Sequence, residues 1–397
     1  MKIVTGLRRS GKSEFMKMLK EEVLKKSDEE HIIFMNFEDD EFHDILTNKE
    51  LTAYFKTRIT DDKQYYVFLD EIQEVVGWEK SVNSIRLKGA DVYITGSNSK
   101  IMSEELASLL GGRTLSFSIF PLSFVEFIDF RKQRGLSFLT DGMKEGRDGY
   151  DDAMKKELDK YIRIGGFPVL AIFDFSASEA RKIVQDINST ALLRDVTLRY
   201  KIRTPQLLDK VVAFLYDNVG NLVSIASIAR YLKSQGRSGD PETIANYVKY
   251  LEDARIVKRA QRYDIKGKKL LETIDKYYLG DHSLQYAIRD YRQDKVQGIL
   301  ENIVFAELVR RGYNVYVGSA EGDKKIDFVA EKDGAKVYVQ VCMEFSSLET
   351  IKREFEPLKQ IRDHYPKYVV VLSGKGMVDD EGVKSIQLKD FLLKQEL

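Results

Sequence analysis

Short apolar runs alternate with amphipathic stretches over the first 130 residues of the chain. The apolar runs have the length and composition of strands buried inside a sheet. The stretches between them, the first reaching about Lys25 and the second lying near Lys49–Thr57, have the spacing of helices. Alternation of this kind predicts an α/β fold with a parallel sheet. The predicted strands are Lys2–Thr5, His31–Asn36, Tyr65–Glu71 and Asp91–Thr95.

A polar, glycine-dotted stretch from Arg131 to Asp152 then marks a boundary. From Met154 to Gly220 the apolar residues recur at three- and four-residue intervals, which predicts a mostly helical region. Arg194-Asp195 lies in this region, and a structural ion pair is the simpler interpretation of that dipeptide.

The next segment predicts a winged helix-turn-helix. Two predicted helices are separated by a polar turn, and Pro241 directly after Asp240 is a typical helix start. A hairpin follows, with Lys266-Gly267-Lys268 at its tip, and this order of helix, turn, helix and wing is typical of DNA-binding modules. Winged helices also dock proteins, so both kinds of partner stay open. The predicted elements are helices Ser224–Leu232 and Pro241–Ala254 and strands Ile256–Ala260 and Lys269–Ile274.

The last hundred residues predict an α-β-β-β-α-β order. Glu301 lies in the first helix and Asp327 in the second strand, an arrangement that resembles the restriction-endonuclease-like fold. An active member of that fold needs carboxylates that bind a divalent metal and a lysine that helps to activate water. The Glu and Lys positions hold Gln340 and Cys342 here, so we expect a degenerate, inactive site.

The loop after the first strand contains a G-x-x-x-x-G-K-[ST] pattern between a strand and a helix, which is the context this motif requires. Glycines allow a tight turn whose backbone N–H groups, with the helix N-terminus, hold phosphate oxygens. Lys12 is predicted to reach the β- and γ-phosphates, and Ser13 to bind Mg²⁺. The predicted nucleotide-binding residues of the loop are Gly6, Leu7, Arg8, Arg9, Ser10, Gly11, Lys12 and Ser13.

Two further strand ends are predicted to join this site. The strand Tyr65–Glu71 ends in two carboxylates, of which Asp70 is expected to hold Mg²⁺ through water and Glu71 to orient the attacking water. The strand Asp91–Thr95 is followed by Gly96-Ser97-Asn98, and Ser97 or Asn98 is the candidate γ-phosphate sensor. A plain turn that starts the next helix is the alternative interpretation of that tripeptide.

These motifs together resemble the AAA+ ATPases of archaea and bacteria that carry an uncharacterised C-terminal domain. The resemblance runs over nearly the whole chain and implies that Arg113 is an arginine finger or a phosphate sensor, with a helix-capping surface arginine as the alternative. Family members have a leading segment that helps to cover the adenine, and this chain begins on the phosphate-loop strand, so adenine or guanine preference stays open. The segments that carry the resemblance are the phosphate loop, Leu69–Gln73, Ile94–Ser97, Gly112-Arg113, Pro121–Phe124 and Tyr161–Pro168.

The amino-acid composition excludes some classes of protein but does not identify a partner. Lys and Arg total 63, as do Asp and Glu, so the whole chain has no charge bias toward nucleic acid. Locally, Leu222–Lys276 carries twelve Lys and Arg against seven Asp and Glu, which suits phosphate contacts. One cysteine excludes an internal disulfide, and no apolar run approaches the length of a membrane span. We expect a cytoplasmic protein with no membrane partner.

The sequence therefore predicts a multidomain α/β protein with four parts: an AAA+ three-layer sandwich (1–132), a helical lid (153–220), a winged helix-turn-helix (221–292) and a nuclease-like domain (293–397). The expected function is that of an ATPase switch with ATP and Mg²⁺, and with Lys12, Glu71 and Arg113 as catalytic residues. Double-stranded DNA, a protein partner and a second copy of the chain are the candidate partners. A non-catalytic, ATP-gated binding module is the alternative, and a metal-dependent nuclease is disfavoured by Gln340 and Cys342.

Overall fold

The computed structural model describes residues 1–96, 113–140, 143, 145–146, 149–237, 239–288, 295–319, 325–374 and 379–394, without the side chains of residues 272 and 273. The chain forms two compact units. The first contains Met1–Pro121 with Asp253–Arg255, and the second contains Leu122–Glu252 and Ile256–Leu397. None of the helices in the described ranges combines the length and hydrophobicity that crossing a lipid bilayer requires.

A five-stranded parallel sheet forms the centre of the first unit, in the order β2-β3-β4-β1-β5. This arrangement confirms the predicted α/β class and places β4 between β1 and β3. The strands are β1 Lys2–Gly6, β2 Ile32–Asn36, β3 Tyr66–Asp70, β4 Asp91–Gly96 and β5 Leu115–Ile119. The helices of this unit in the described part of the chain are α1 Lys12–Leu24, α2 Asn48–Arg58 and α3 Trp78–Leu87.

Both faces of this sheet are covered, because successive residues of a strand point to opposite sides. Ile3 of β1 packs in the core that contains Leu51 of α2 and Val82 of α3. Its neighbour Val4 packs in the other core, with Met16 of α1. Parallel strands deliver their carboxyl ends to one edge, so the residues after β1, β3 and β4 meet there.

The second unit begins with a group of helices, three of which start with a capping box. The paired residues are Ser123 and Glu126, Ser176 and Glu179, and Ser224 and Ser227. A π-helix, Leu192–Leu198, directly continues α7 and contains the Arg194-Asp195 pair. The α-helices are α4 Phe124–Gln133, α5 Tyr150–Ile164, α6 Pro168–Ile172, α7 Ala177–Ala191, α8 Pro205–Asp217, α9 Ile225–Ser234, α10 Pro241–Asp253, α11 Leu284–Ile288, α12 Val296–Arg310, α13 Leu348–Lys359 and α14 Leu388–Leu393.

A nine-stranded mixed sheet completes this unit, in the order β13-β14-β12-β11-β10-β9-β7-β8-β6. The hairpin β7–β8 is the predicted wing, and β7 pairs in parallel with β9, so wing and nuclease-like segment share one sheet. The predicted boundary at 292–293 lies between these paired strands, and the four domain ranges stay a prediction. The strands are β6 Leu222–Val223, β7 Val257–Asp264, β8 Lys269–Leu279, β9 Asn314–Ser319, β10 Lys325–Lys332, β11 Ala335–Glu344, β12 Lys367–Ser373, β13 Asp379–Asp380 and β14 Val383–Gln387.

The glycine pair in the Tyr161–Pro168 motif has a packing role. Gly165 ends α5 with a left-handed φ of 89°, and a Cβ atom there would overlap the side chains of Asp281 and Ser283. The backbone N–H of Gly166 donates a 2.9 Å hydrogen bond to Asp281 Oδ2. The motif thus lets the end of α5 approach the segment between β8 and α11.

Candidate nucleotide-binding site

The phosphate loop runs from the end of β1 to the first turn of α1. Gly11 is the N-cap of α1 and has a left-handed φ of 101°, which glycine adopts without steric cost. A Cβ atom at Gly6 would overlap the Ile119 carbonyl oxygen and lie 2.8 Å from Ser10 Oγ. Both glycines of the predicted motif are therefore required by the local backbone.

The loop has the features of an anion cradle. It leads into the N-terminus of a 13-residue helix, where backbone N–H groups and the helix dipole favour negative charge. Ser10 Oγ is buried without a hydrogen-bond partner, so the loop contains an unsatisfied polar group. These features suit the phosphates of a nucleotide.

Lys12 lies inside this cradle with only 4% of its surface exposed. Its ammonium group donates to the carbonyl oxygens of Gly6 and Leu7, each at 3.3 Å, and lies 3.6 Å from Glu71 Oε1. All three contacts are longer than a normal charge-assisted hydrogen bond. The buried cation is thus held loosely and can take a stronger anionic partner.

Asp70, the last residue of β3, is the buried carboxylate of the site. Burial raises the pKa of its carboxyl, while hydrogen bonds from Ser13 and Thr95 act in the opposite direction. Ser13 and Asp70 are therefore adjacent, as the sequence predicts for two residues that hold one magnesium ion. An oxygen pair of this type is what Mg²⁺ prefers, so these residues suit the ion.

Glu71 follows in a left-handed conformation, with a φ of 54° that is uncommon for a residue with a side chain. Its carboxylate accepts a hydrogen bond from Gln73 Nε2 and faces the Lys12 ammonium group. Strained backbone of this kind is frequent at active sites. The predicted catalytic carboxylate and the predicted phosphate lysine are therefore direct neighbours.

The remaining residues of the loop differ in exposure. Arg8 is mostly buried, and its guanidinium group donates a 2.6 Å hydrogen bond to Glu38 Oε1, beyond the end of β2. Leu7 is buried in the interior. Arg9 is exposed and has a φ of 65°. These two arginines are therefore positioned differently toward any phosphate, although both belong to the predicted motif.

Thr95 is the residue of this site that the sequence-based prediction missed. Its hydroxyl donates to Asp70 Oδ1 and accepts a 2.9 Å hydrogen bond from the Glu71 backbone N–H. In the sequence, Thr95 is a polar residue at the end of an apolar strand, two residues before Ser97, and that position could have indicated it. Ser97 and Asn98, the predicted sensors, lie outside the described residues.

Arg113 lies near the amino-terminal ends of the parallel strands, whereas the phosphate loop lies at their carboxyl ends. It is exposed and precedes β5, whose first residue Leu115 pairs with Lys2 at the start of β1. The loop instead follows Gly6, at the opposite end of β1. The structure therefore does not bring Arg113 to the phosphate loop of its own chain, and its role as an arginine finger stays a prediction.

Arg255, which is distant from the phosphate loop in the sequence, also belongs to the first unit. Arg255 donates a 2.7 Å hydrogen bond from Nη2 to Thr5 Oγ1, in the strand that leads into the phosphate loop. Burial lowers the pKa of this guanidinium group, and Arg255 Nε is buried without a hydrogen-bond partner. No local motif marks this residue in the sequence.

Comparison with known proteins agrees with this geometry. A family model described as an AAA domain matches residues 1–128, and one described as a domain of unknown function matches residues 155–295. An uncharacterized protein of Haemophilus influenzae is 33% identical over 99% of this chain and 94% of its own length. An uncharacterized protein of Methanocaldococcus jannaschii is 28% identical over 98% of this chain and 85% of its own.

Two solved structures are similar at low sequence identity. The Walker-type ATPase of Pyrococcus abyssi has a TM-score of 0.48 and 13% identity, covering 72% of this chain and 90% of that one. The ORC1 protein of Aeropyrum pernix in complex with DNA has a TM-score of 0.34 and 13% identity, covering 72% and 85%. Both scores are low, so the assignment rests on the sequence matches and the phosphate-loop geometry. The chain belongs to the AAA+ P-loop ATPases in which the AAA domain is followed by a domain of unknown function.

Proposed function

We propose that this protein binds ATP with Mg²⁺ at the phosphate loop and hydrolyses it, as a switch that acts on DNA or on a protein partner. The observation that carries the proposal is the meeting of Lys12, Asp70 and Glu71 at one sheet edge. Lys12 is buried beside Glu71, and its contacts within the described residues are 3.3 Å or longer. A nucleotide phosphate would provide the short anionic contact that this lysine lacks.

Each residue then has a distinct task. Lys12 binds the β- and γ-phosphates, and Ser13 with Asp70 would hold the metal ion, which supplies charge neutralisation when bound. Glu71 orients and polarises the attacking water once its contact with Lys12 is replaced. Gln73 and Thr95 hold Glu71 through its carboxylate and its backbone N–H respectively.

Two substitutions separate binding from hydrolysis. Lys12→Ala should weaken ATP binding by about a hundredfold or more, because it removes the cation that faces the phosphates. Glu71→Gln should keep the affinity within about threefold and lower turnover by about a hundredfold, because it removes only the base that positions water. Calorimetric ATP titration and steady-state phosphate release measure the two effects. Lys17→Ala, an exposed lysine of the same helix, is the matched control.

Unchanged turnover in Glu71→Gln would remove this residue from the mechanism. A non-catalytic, ATP-gated binding module is the alternative function, and it predicts tight ATP binding without steady phosphate release in the wild type. Release that begins only with duplex DNA or a partner present would support the switch.

The DNA part of the proposal depends on the wing. Lys266, Lys268 and Lys269 at its tip are exposed, which suits phosphate contacts. Two arginines of the hairpin have contacts inside the protein. Arg259 lies 3.7 Å from Asp275 and 3.8 Å from Glu252, and Arg262 donates a 3.2 Å hydrogen bond to Ser319. Because its three lysines are exposed, the tip is the part of the wing that we expect to contact a duplex.

Replacing the three tip lysines by alanine should weaken duplex binding equally for all sequences. The slope of log K against log salt concentration should fall by up to about 2.7, since each lost phosphate contact contributes about 0.9. Fluorescence anisotropy with duplexes over a salt series measures the slope. Replacing Lys17, Lys25 and Lys26, exposed lysines of the first unit, is the control. An unchanged slope would exclude the wing, and no wild-type duplex binding at low salt would favour a protein partner.

A further inference from the structure

A second buried lysine lies between two carboxylates in the nuclease-like part of the second unit. Lys276 of β8 donates to Glu301 Oε2 of α12 at 2.9 Å and to Asp327 Oδ1 of β10 at 3.0 Å. Tyr278 OH donates to the same Glu301 oxygen at 3.0 Å. All four side chains are largely buried, and none of the four belongs to the ATP site.

Glu301 and Asp327 are the two acidic residues that remain of the degenerate nuclease pattern. Asp327 Oδ2 accepts a 3.0 Å hydrogen bond from the Val341 backbone N–H, and Gln297 Nε2 lies 3.4 Å from Glu301 Oε1. Gln340, in the place of the missing carboxylate, accepts from the Asp327 backbone N–H at 3.1 Å and donates to Glu354 at 3.0 Å. Burial raises the pKa of Cys342 to about 11, so the residue in the lysine position is a neutral thiol.

The charges show what Lys276 does for this pair. Burial alone would lower the pKa of Lys276, but Asp327 and Glu301 more than offset it, so the pKa is raised and the lysine stays an ammonium ion. Burial and the neighbouring Asp327 raise the pKa of Glu301 to about 7. A single ammonium ion neutralises the charge of one carboxylate. The other carboxylate is therefore still destabilised in its charged form by burial.

We propose that the Lys276 ammonium ion occupies the position where the ancestral pattern holds a divalent cation, so that the folded protein has no metal ion there and removal of Lys276 opens a site for one. The same two oxygens that would hold a metal ion are the acceptors of the lysine. A divalent cation beside an ammonium group would meet like-charge repulsion in a low-dielectric interior. The Lys276 ammonium group therefore takes the place of the divalent cation between the two carboxylates.

The location of the lysine supports this assignment. Lys276 comes from the wing hairpin, whereas a nuclease of this fold has its lysine two residues after the second carboxylate of the motif, at the position of Cys342. The sheet places β8 next to β7, and β7 next to β9, so the wing strand can reach α12 and β10. The substitution of the motif lysine and the presence of Lys276 together keep one positive charge in this region.

The test uses the full chain without nucleotide and Mn²⁺ as the probe. Lys276→Met should unfold at a lower temperature than the wild type, because two buried carboxylates then face each other without a cation. Millimolar Mn²⁺ should raise the unfolding midpoint of Lys276→Met by about 3 °C or more, since an ion that binds only the folded state stabilises it. The same Mn²⁺ should shift the wild-type midpoint no more than it shifts that of Asp327→Asn.

Two further variants isolate the site. The shift should disappear in Lys276→Met/Asp327→Asn, which lacks one of the two anionic ligands. Lys276→Arg keeps a cation and should not respond to Mn²⁺. A folded Lys276→Met whose midpoint does not respond to Mn²⁺ would overturn the proposal.

If Lys276→Met does not fold, the comparison of the wild type with Glu301→Gln decides. Mn²⁺-dependent water proton relaxation should then be equal for the wild type and Glu301→Gln. A wild-type Mn²⁺ site that is lost in Glu301→Gln would show that a metal ion binds beside Lys276 and would overturn the proposal.

Discussion

The protein contains two buried lysines that face carboxylates, and they differ in how tightly they are held. Lys276 makes two hydrogen bonds, of 2.9 and 3.0 Å, and both of its partners are acidic side chains. Lys12 has two backbone carbonyl oxygens at 3.3 Å and one carboxylate at 3.6 Å. The two lysines are equally hidden from solvent, so burial does not separate them.

The difference lies in what each lysine can still bind. A buried cation with short bonds to two anions gains little from a further anion and loses much if its own partners change. A buried cation with long contacts gains more free energy when an anionic ligand binds to it at a short distance. Contact length, more than burial, therefore distinguishes Lys12, the lysine that we propose binds the nucleotide, from Lys276.

The largest expected effect comes from removing the two charges in turn. Lys276→Met should lower the free energy of unfolding by about 3–5 kcal/mol, because it leaves buried charge without a partner. Lys12→Met should lower the same quantity by less than Lys276→Met does, because Lys12 has one carboxylate, at 3.6 Å, among its contacts. ATP affinity should respond in the reverse way, with a loss only in Lys12→Met. Urea unfolding of both variants, with ATP titration, measures the contrast, and equal destabilisation by the two would refute it.

The pH dependence of stability should come next in size. The folded-state pKa of Glu301 is raised to about 7 from an ordinary 4.5, so the folded state holds an extra proton between these values. Stability is therefore greater at acid pH and should fall by at most about 3 kcal/mol as the pH rises through this window. The raised pKa of Lys276 contributes no slope here, since that lysine is charged in both states.

Urea unfolding at several pH values measures this slope. Asp70, whose pKa is also raised by burial, adds a change of the same sign, so the informative quantity is the difference between the wild type and Glu301→Gln. Identical profiles for these two proteins would contradict the assignment of the slope to Glu301.

The smallest effects are expected from removing two hydroxyl groups, those of Thr95 and Tyr278, which donate to Asp70 and Glu301 respectively. Thr95→Val and Tyr278→Phe should each cost about 1–2 kcal/mol of stability, because an acceptor loses its partner. Only Thr95→Val should lower turnover, by about tenfold to a hundredfold, since Thr95 supports Asp70 and Glu71. Thermal unfolding and phosphate release separate the two. A turnover loss of the same size in Tyr278→Phe would mean that the comparison has assigned the sites wrongly.

The sequence predicts the fold of the first unit and the position of its phosphate loop because their determinants are local. A phosphate loop needs glycines at fixed spacing around one turn, and the structure places Gly6, Gly11 and Lys12 as that spacing requires. Asp70 and Glu71 follow an apolar strand whose parallel neighbours fix which edge they reach. The α/β class of this unit follows from the same pattern of apolar strands and amphipathic helices.

The partners that come from distant segments were beyond the sequence. Lys276 is separated from Asp327 by 51 residues, and nothing in the wing motif indicates that this lysine points inward. Arg255 reaches Thr5 across 250 residues, and Thr95 differs from an ordinary strand residue only by one hydroxyl. Such contacts depend on how strands are ordered in space, which hydrophobic periodicity does not specify.

The pairing of β7 with β9 limits how this protein can be divided. The hairpin β7–β8 and strand β9 belong to one sheet, so a fragment that ends between them leaves strand edges open on both pieces. Cutting the chain between residues 292 and 293 would also separate Lys276 from its two carboxylates. The second unit should therefore be expressed whole, since any cut between β8 and β9 breaks both the sheet and the contacts of Lys276.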